Sequence, residues 1–387
     1  MKRIQSIDFT RGLVMIIMAL DHVRDLLHVD SLTQSPTDLN TTTPILFFTR
    51  WITHLCAPVF VFLAGTSAYI SFQNKKDTRQ FRNGLFKRGL WLIFLEFTLV
   101  NFGIYFDPGF RAPLFEVIAA IGTGFIFLGL MLRFSPRTIG IISLVILLFH
   151  NLTPLIPFPE GSVFKIIMTP FFQPAAFPIG SGRTFIMGYP PIPWLGIMLL
   201  GFATGKLFFI QQSNRMKILI QTGLGMLIFF IILRFTNVYG DSANWSVQKS
   251  NMYTFLSFMN VSKYPPSLLF CSVTLGIMFL ILAFSEKAQS RFFEIVKVYG
   301  RVPLFYFVIH FYLVHIILII ILLTQGLNWA DLDFTSGTFG RPKGVISGIN
   351  LAGIYIIWVG VVLALYKPCQ WFGKFKSKHD YWWLRYV

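Results

Sequence analysis

Residues 301–324 read RVPLFYFVIHFYLVHIILIIILLT, and after Arg301 the stretch holds no Lys, Arg, Asp or Glu. A helix of that length rises far enough to cross a hydrocarbon layer of about 30 Å. Nine further apolar segments of spanning length fall near 12–29, 45–72, 88–106, 112–132, 138–157, 190–211, 216–236, 266–285 and 346–366. The composition agrees. Of 387 residues, 55% are hydrophobic and 13% are charged, against roughly 25% charged in soluble domains. A water-soluble chain with that balance lacks the polar groups to cover its own surface, whereas a lipid-embedded chain needs no such cover. The expectation is an all-α polytopic membrane protein of about ten helices. No polar linker divides it, so one domain spans 1–387.

The net charge of +17 points to nucleic acid only if it is spread over a soluble surface, and here it is not. With the first residue inside, the inward loops collect Lys2, Arg3, Arg11, Lys75, Lys76, Arg79, Arg82, Lys87 and Arg88, then Arg133, Arg137, Lys206, Arg215 and Lys217. The series continues through Lys287, Arg291, Lys297 and Arg301 to the basic tail around Lys374, Lys376 and Lys378. Cations retained on one side are a topology signal, so both ends of the chain are expected in the cytoplasm. A nucleic-acid partner is not expected; the bilayer is. The apolar start resembles a secretory leader, but Asp21, His22 and Arg24 interrupt it without a small-residue cleavage site, which favours a retained first helix. Cys56, Cys271 and Cys369 form no metal-spaced pair. The outward loops 158–189 and 237–265 are longer and rich in Pro, Gly and aromatics. They fit a cap over an outward-opening site, or plain connectors anchored at the interface. No internal repeat of the kind that builds many transporters is visible.

Ionisable side chains inside a membrane are costly and mark function or pairing. The first segment carries Asp8, Arg11, Asp21, His22, Arg24, Asp25 and His28. From Arg11 to His22, eleven steps of 100° return to within about 20° of the start, roughly 16 Å further along the axis. The two residues therefore lie on one stripe, with Asp8 and Asp25 near it. A buried neutral imidazole can accept a proton from a hydroxyl or amine, which makes His22 a candidate general base, with Asp21 or Asp25 available to fix its tautomer. The plainer reading is a hydrogen-bonding histidine near a helix end. On 301–324, Tyr306 and His310 are four apart and share a face. His310 either lines the same space as His22 or packs in the core. His315 falls off that face, at the interface. A haem between two histidines is a further formal option with nothing else behind it.

Small residues at Ala64, Gly65 and Ser67 allow close helix approach. Pro190, Pro191 and Pro193 stiffen the entry to the next segment, where Trp194 suits an interface or a bound substrate. No P-loop, HExxH or GxSxG is present, so neither ATP coupling nor the familiar hydrolase and metalloprotease sites find support, and no metal is expected.

Ile7-Asp8-Phe9-Thr10-Arg11-Gly12 followed by Asp21-His22, the run Ala57 to Ser67, Tyr189-Pro190 through Gly196, Lys263-Tyr264-Pro265-Pro266-Ser267, and Gly300 through His310 occur in that order. Together they resemble bacterial membrane proteins related to heparan-alpha-glucosaminide N-acetyltransferase, within a wider superfamily of transmembrane acyltransferases. An arginine, ten residues, then a histidine on the first helix is shared with the acyltransferase-3 branch and falls here on Arg11 and His22. The resemblance implies transfer of an acyl group, typically acetyl, from cytoplasmic acyl-CoA to an acceptor on the far side, usually a sugar or glycan. It makes His22 the base or an acyl carrier, with Asp8, Arg11 and Asp21 beside it. Arg11, Arg88 and Arg301 are the cations best placed to attract CoA phosphates, and Asp25, Tyr306, His310 and Trp194 are candidates to touch substrate. The bacterial cytoplasmic membrane is the expected location. The sequence allows a homo-oligomer without specifying one. The competing reading is a transporter or permease that uses the first-helix stripe as a substrate or proton path.

Overall fold

The computed structural model describes residues 4–75, 77–155, 162–335 and 337–386. Lys2, Arg3 and Lys76, read above as inward cations, lie outside them. The chain opens with α1 (Gln5–Leu27), α2 (Pro44–Ile52), α3 (Cys56–Gln73), α4 (Thr78–Leu95) and α5 (Asn101–Tyr105). It continues through α6 (Val117–Met131), α7 (Pro136–Phe149), α8 (Val163–Phe172), α9 (Pro191–Thr204) and α10 (Gln212–Thr236). The last five are α11 (Asn251–Met259), α12 (Leu268–Ser285), α13 (Arg291–Gly300), α14 (Pro303–Thr324) and α15 (Leu351–Lys378). The all-α expectation is met except for one small sheet of β1 (Leu114–Phe115), β2 (Ala175–Gly180) and β3 (Arg183–Met187). Its order is β1-β3-β2, with β1 parallel and β2 antiparallel to β3.

Among the described residues, eight helices are long and apolar enough to cross a membrane. Each of the ten apolar segments falls on a helix. The two outside the eight are instructive: α1 carries Asp8, Arg11, Asp21, Arg24 and Asp25, and α6 is only 15 residues long. The remaining short helices α8 and α11 lie in the two long loops, and α13 precedes α14. The faces of α7, α10 and α15 turn large apolar side chains outward, among them Ile141, Val145, Ile228, Ile232, Ile356 and Leu363. Water does not tolerate such continuous apolar surface, and lipid does.

Helix ends follow local chemistry. Asp77 caps α4 by accepting from the backbone of Arg79 and Gln80, and Ser135 and Ser267 cap α7 and α12. Between α4 and α5 the chain widens into a π-helical turn at Glu96–Val100. The Glu96 carboxylate there accepts from the amide of Ala119 at 2.8 Å and so caps the start of α6.

α1 is the axis of the molecule, packed against α3, α12, α13, α14 and α15. At one end of the bundle Ser6 meets Glu286 at 2.7 Å, Glu286 pairs with Arg215, and Lys297 reaches Gln5 at 3.1 Å. At the opposite end Ile349 donates to the Leu27 carbonyl at 2.8 Å. The buried Arg341 there reaches the carbonyls of His28 and Val29 at 2.9 and 3.0 Å. Close approach depends on glycine. A Cβ on Gly65 would stand 2.0 Å from the Met198 carbonyl, so α3 and α9 touch backbone to backbone as the small residues there predict. α1 meets α13 more tightly still. A Cβ on Gly12 would lie 2.0 Å from the Val296 oxygen, and one on Gly300 would lie 1.8 Å from the Asp8 oxygen.

Candidate functional site

The glycine contact between α1 and α13 brings Asp8 and Arg11 beside Gly300 and Arg301, and these residues line a cavity of about 440 Å³. Its mouth carries Asn74, Arg301 and Lys376; its walls are Met15, Phe60, Ile118, Ile121 and Phe125. Arg11 is held by the Leu63 carbonyl at 2.9 Å and by the Ser67 hydroxyl. Arg88 lies 5.1 Å from the centre of the Phe125 ring, a cation–π contact that turns its charge toward the cavity. The three arginines singled out in the sequence are thus gathered on one space, together with Lys376, which sequence reasoning left in the basic tail.

Phe307 lines the same cavity. Its ring also stands edge-on to the imidazole of His22, with centroids 6.3 Å apart. His22 is half-buried and stacks on Phe311 at 4.3 Å. Its Nδ1 lies 2.6 Å from Nε2 of His310, and Nδ1 of His310 lies 3.1 Å from the Tyr306 carbonyl. His310 is fully buried and touches His22 directly, so it packs in the core beside the candidate base. The two nitrogens are in hydrogen-bond contact, with no room for an iron between them. Tyr306 is buried edge-on to Tyr299, 5.4 Å between ring centres, and its hydroxyl has no hydrogen-bond partner among the described residues.

The carboxylates expected beside His22 do other work. Asp21 takes Arg24 at 2.8 Å and Arg50 at 2.9 Å, and Asp25 takes Arg24 at 2.7 Å. Among the described residues, the hydrogen-bond contact of His22 is therefore to His310, whereas Asp21 and Asp25 pair with arginines. Arg50 is also held by Thr53 at 2.8 Å. Sequence reasoning missed it, although a cation inside the 45–72 segment is itself the signal, since a lone charge there is costly.

Around Lys263 the separated motifs converge. Lys263 lies 4.9 Å from the ring of Tyr264 and 5.8 Å from that of Tyr189. It is also within electrostatic reach of Asp21, His22 and Glu116. Glu116 directly follows β1, and Tyr189 follows β3, so the small sheet positions both. Two interface expectations are corrected. Trp194 is fully buried and packs on Tyr189 at 4.7 Å. His315 is also buried, stacked on Phe106 at 3.9 Å. Among the described residues, no group of three or more His, Cys, Asp or Glu is placed to hold a metal ion.

Residues 3–235 fit the family model described as heparan-alpha-glucosaminide N-acetyltransferase, catalytic. That span includes Arg11, His22, Arg50, Arg88, Glu116 and Tyr189, and ends before Lys263, Arg301 and His310. None of the curated proteins matches the chain.

Proposed function

Because the chain belongs to the heparan-alpha-glucosaminide N-acetyltransferase catalytic family, we propose that it carries an acetyl group from cytoplasmic acetyl-CoA to a sugar or glycan acceptor on the outer side, with His22 as general base. The bundle end bearing Gln5, Arg215 and Lys297 is the cytoplasmic one, since most of the cations read as inward gather toward it. Ten helices then lie in the bilayer of a bacterial cytoplasmic membrane, with α1 and the short α6 shielded from lipid by the others.

One observation carries the reading: a cavity lined by four cations and by apolar side chains that include Phe307, the ring against which His22 stands. Arg11, Arg88, Arg301 and Lys376 suit the phosphates of CoA, and the apolar walls suit its uncharged arm. A thioester at Phe307 would lie beside His22, on a stripe that also holds Arg11. From the other side Lys263, Glu116, Tyr189 and Tyr264 offer a charged donor, a carboxyl acceptor and aromatic faces, a set suited to a sugar. Holding both substrates at one imidazole supplies much of the rate enhancement through proximity alone. His22 takes the proton from the acceptor amine or hydroxyl as its heteroatom attacks the thioester carbonyl. The C–S bond breaks, and the CoA thiolate recovers that proton from His22.

The test is transfer of label from acetyl-CoA by protein purified into vesicles, wild type beside His22→Ala, with amino sugars and cell-envelope glycans as acceptors. Label transfer that disappears in the variant supports the reading. Absence of transfer together with absence of acetyl-CoA binding overturns it and favours a permease.

A further inference from the structure

The hydrogen bonds around His22 fix which of its nitrogens is reactive. Nδ1 of His310 faces the Tyr306 carbonyl at 3.1 Å, and a carbonyl can only accept, so this nitrogen carries the proton. In the neutral ring Nε2 of His310 is then a bare lone pair. That lone pair lies 2.6 Å from Nδ1 of His22, so the proton between them belongs to His22. A neutral His22 protonated at Nδ1 has its own lone pair at Nε2. That nitrogen has no hydrogen-bond partner among the described residues, although the ring itself is clamped by Phe311 at 4.3 Å.

We propose that His310 is a positioning residue for acetyl transfer, which through the chain Tyr306 carbonyl–His310–His22 holds His22 in the tautomer whose Nε2 accepts the substrate proton. The inference rests on the acetyltransferase reading and adds to it the reactive atom and its partner. When Nε2 takes the proton, His22 becomes an imidazolium whose Nδ1–H still donates to His310, and this charge-assisted bond stabilises the cation as it forms. His310 passes nothing on, because its other nitrogen is tied to a carbonyl that cannot take a proton. The proton thus waits at Nε2 until the thiolate collects it. In other enzymes a carboxylate commonly orients the imidazole this way. Here the nearby acids are committed to Arg24 and Arg50, and a second imidazole takes the role.

His310→Phe removes the acceptor and keeps a ring. Its expected effect is a fall in kcat of about 10²- to 10⁴-fold, with the KM for acetyl-CoA unchanged because His310 does not line the cavity. His310→Gln places an amide oxygen where Nε2 stood and an amide N–H toward Tyr306, and kcat should recover to within about tenfold of wild type. ¹⁵N spectra of histidine-labelled wild-type protein give a readout that needs no variant at position 310. The resonances lost in His22→Ala should include one protonated and one bare nitrogen, with the proton on Nδ1. A folded His310→Phe protein with wild-type kcat, a Gln variant no better than Phe, or a His22 protonated at Nε2 would each overturn the inference. Transfer that survives in His22→Ala would instead remove the base reading itself, a result distinguishable from all three.

Discussion

Alanine at Gly300 tests whether the backbone contact between α1 and α13 shapes the arginine-lined cavity. The added Cβ would sit 1.8 Å from the Asp8 carbonyl oxygen, 2.7 Å from the Gly12 nitrogen and 2.8 Å from the Asp8 carbonyl carbon. All three are backbone atoms, so no side chain can rotate away. Restoring an ordinary contact requires the helices to part by at least about 1 Å, and overpacking of this kind costs roughly 1–3 kcal/mol. The displacement falls where Asp8, Arg11, Gly300 and Arg301 line the cavity. A misplacement of about 1 Å can lower turnover roughly 10²-fold. Thermal unfolding in detergent and calorimetric titration with acetyl-CoA read the two effects separately. Gly225→Ala is the matched control: nothing lies within 4 Å of its Cβ, so it should melt at or slightly above the wild-type temperature. If Gly300→Ala melts with wild type and binds acetyl-CoA with the same Kd, the close contact does not hold the cavity in shape.

Arg50→Ala leaves Asp21, itself buried, with Arg24 alone. Leaving a buried charge wholly unpaired costs about 3–5 kcal/mol; with Arg24 still in place the loss is part of that, so the unfolding temperature should fall, and a wild-type value would refute the ion-pair account. Arg234→Ala removes a guanidinium that donates to the carbonyls of Phe258, Ala243, Ser257 and Asn260. Limited proteolysis should then cut within 237–265 much faster while acetyl-CoA affinity stays unchanged; a loop as resistant as wild type would show that Arg234 does not hold it.

The helices were legible because hydrophobicity over about twenty residues is a strong signal that needs no tertiary knowledge. The Arg11–His22 stripe was equally legible, since helical geometry places both residues by counting alone. The partners of that stripe were not. His310 sits 288 positions beyond His22, and nothing in spacing distinguishes a ring that meets another helix from one that packs against leucine. The partners of Asp21 and Asp25 were hidden for a related reason: Arg50, which pairs with Asp21, arrives from another helix. Trp194 illustrates the limit of residue-type rules. Tryptophan favours interfaces on average, yet here Tyr189 and the proline-stiffened start of α9 enclose it. Gly12 and Gly300 carry no sequence mark that separates them from glycines such as Gly225 that touch nothing.

The 15 residues of α6 rise only about 22 Å, some 8 Å short of a hydrocarbon layer of about 30 Å. Its first turn is closed by Glu96 rather than by water, so the helix can stop inside the bilayer's depth without stranded amides. This makes the centre of the protein a partition thinner than the membrane around it. Under the proposed transfer, the donor would enter from one solution and the acceptor would descend from the other, and the acetyl group would change hands beside one aromatic ring. A catalyst of that kind would have no need to rock between inward and outward states, because it would bring the two compartments near to each other instead of carrying cargo between them.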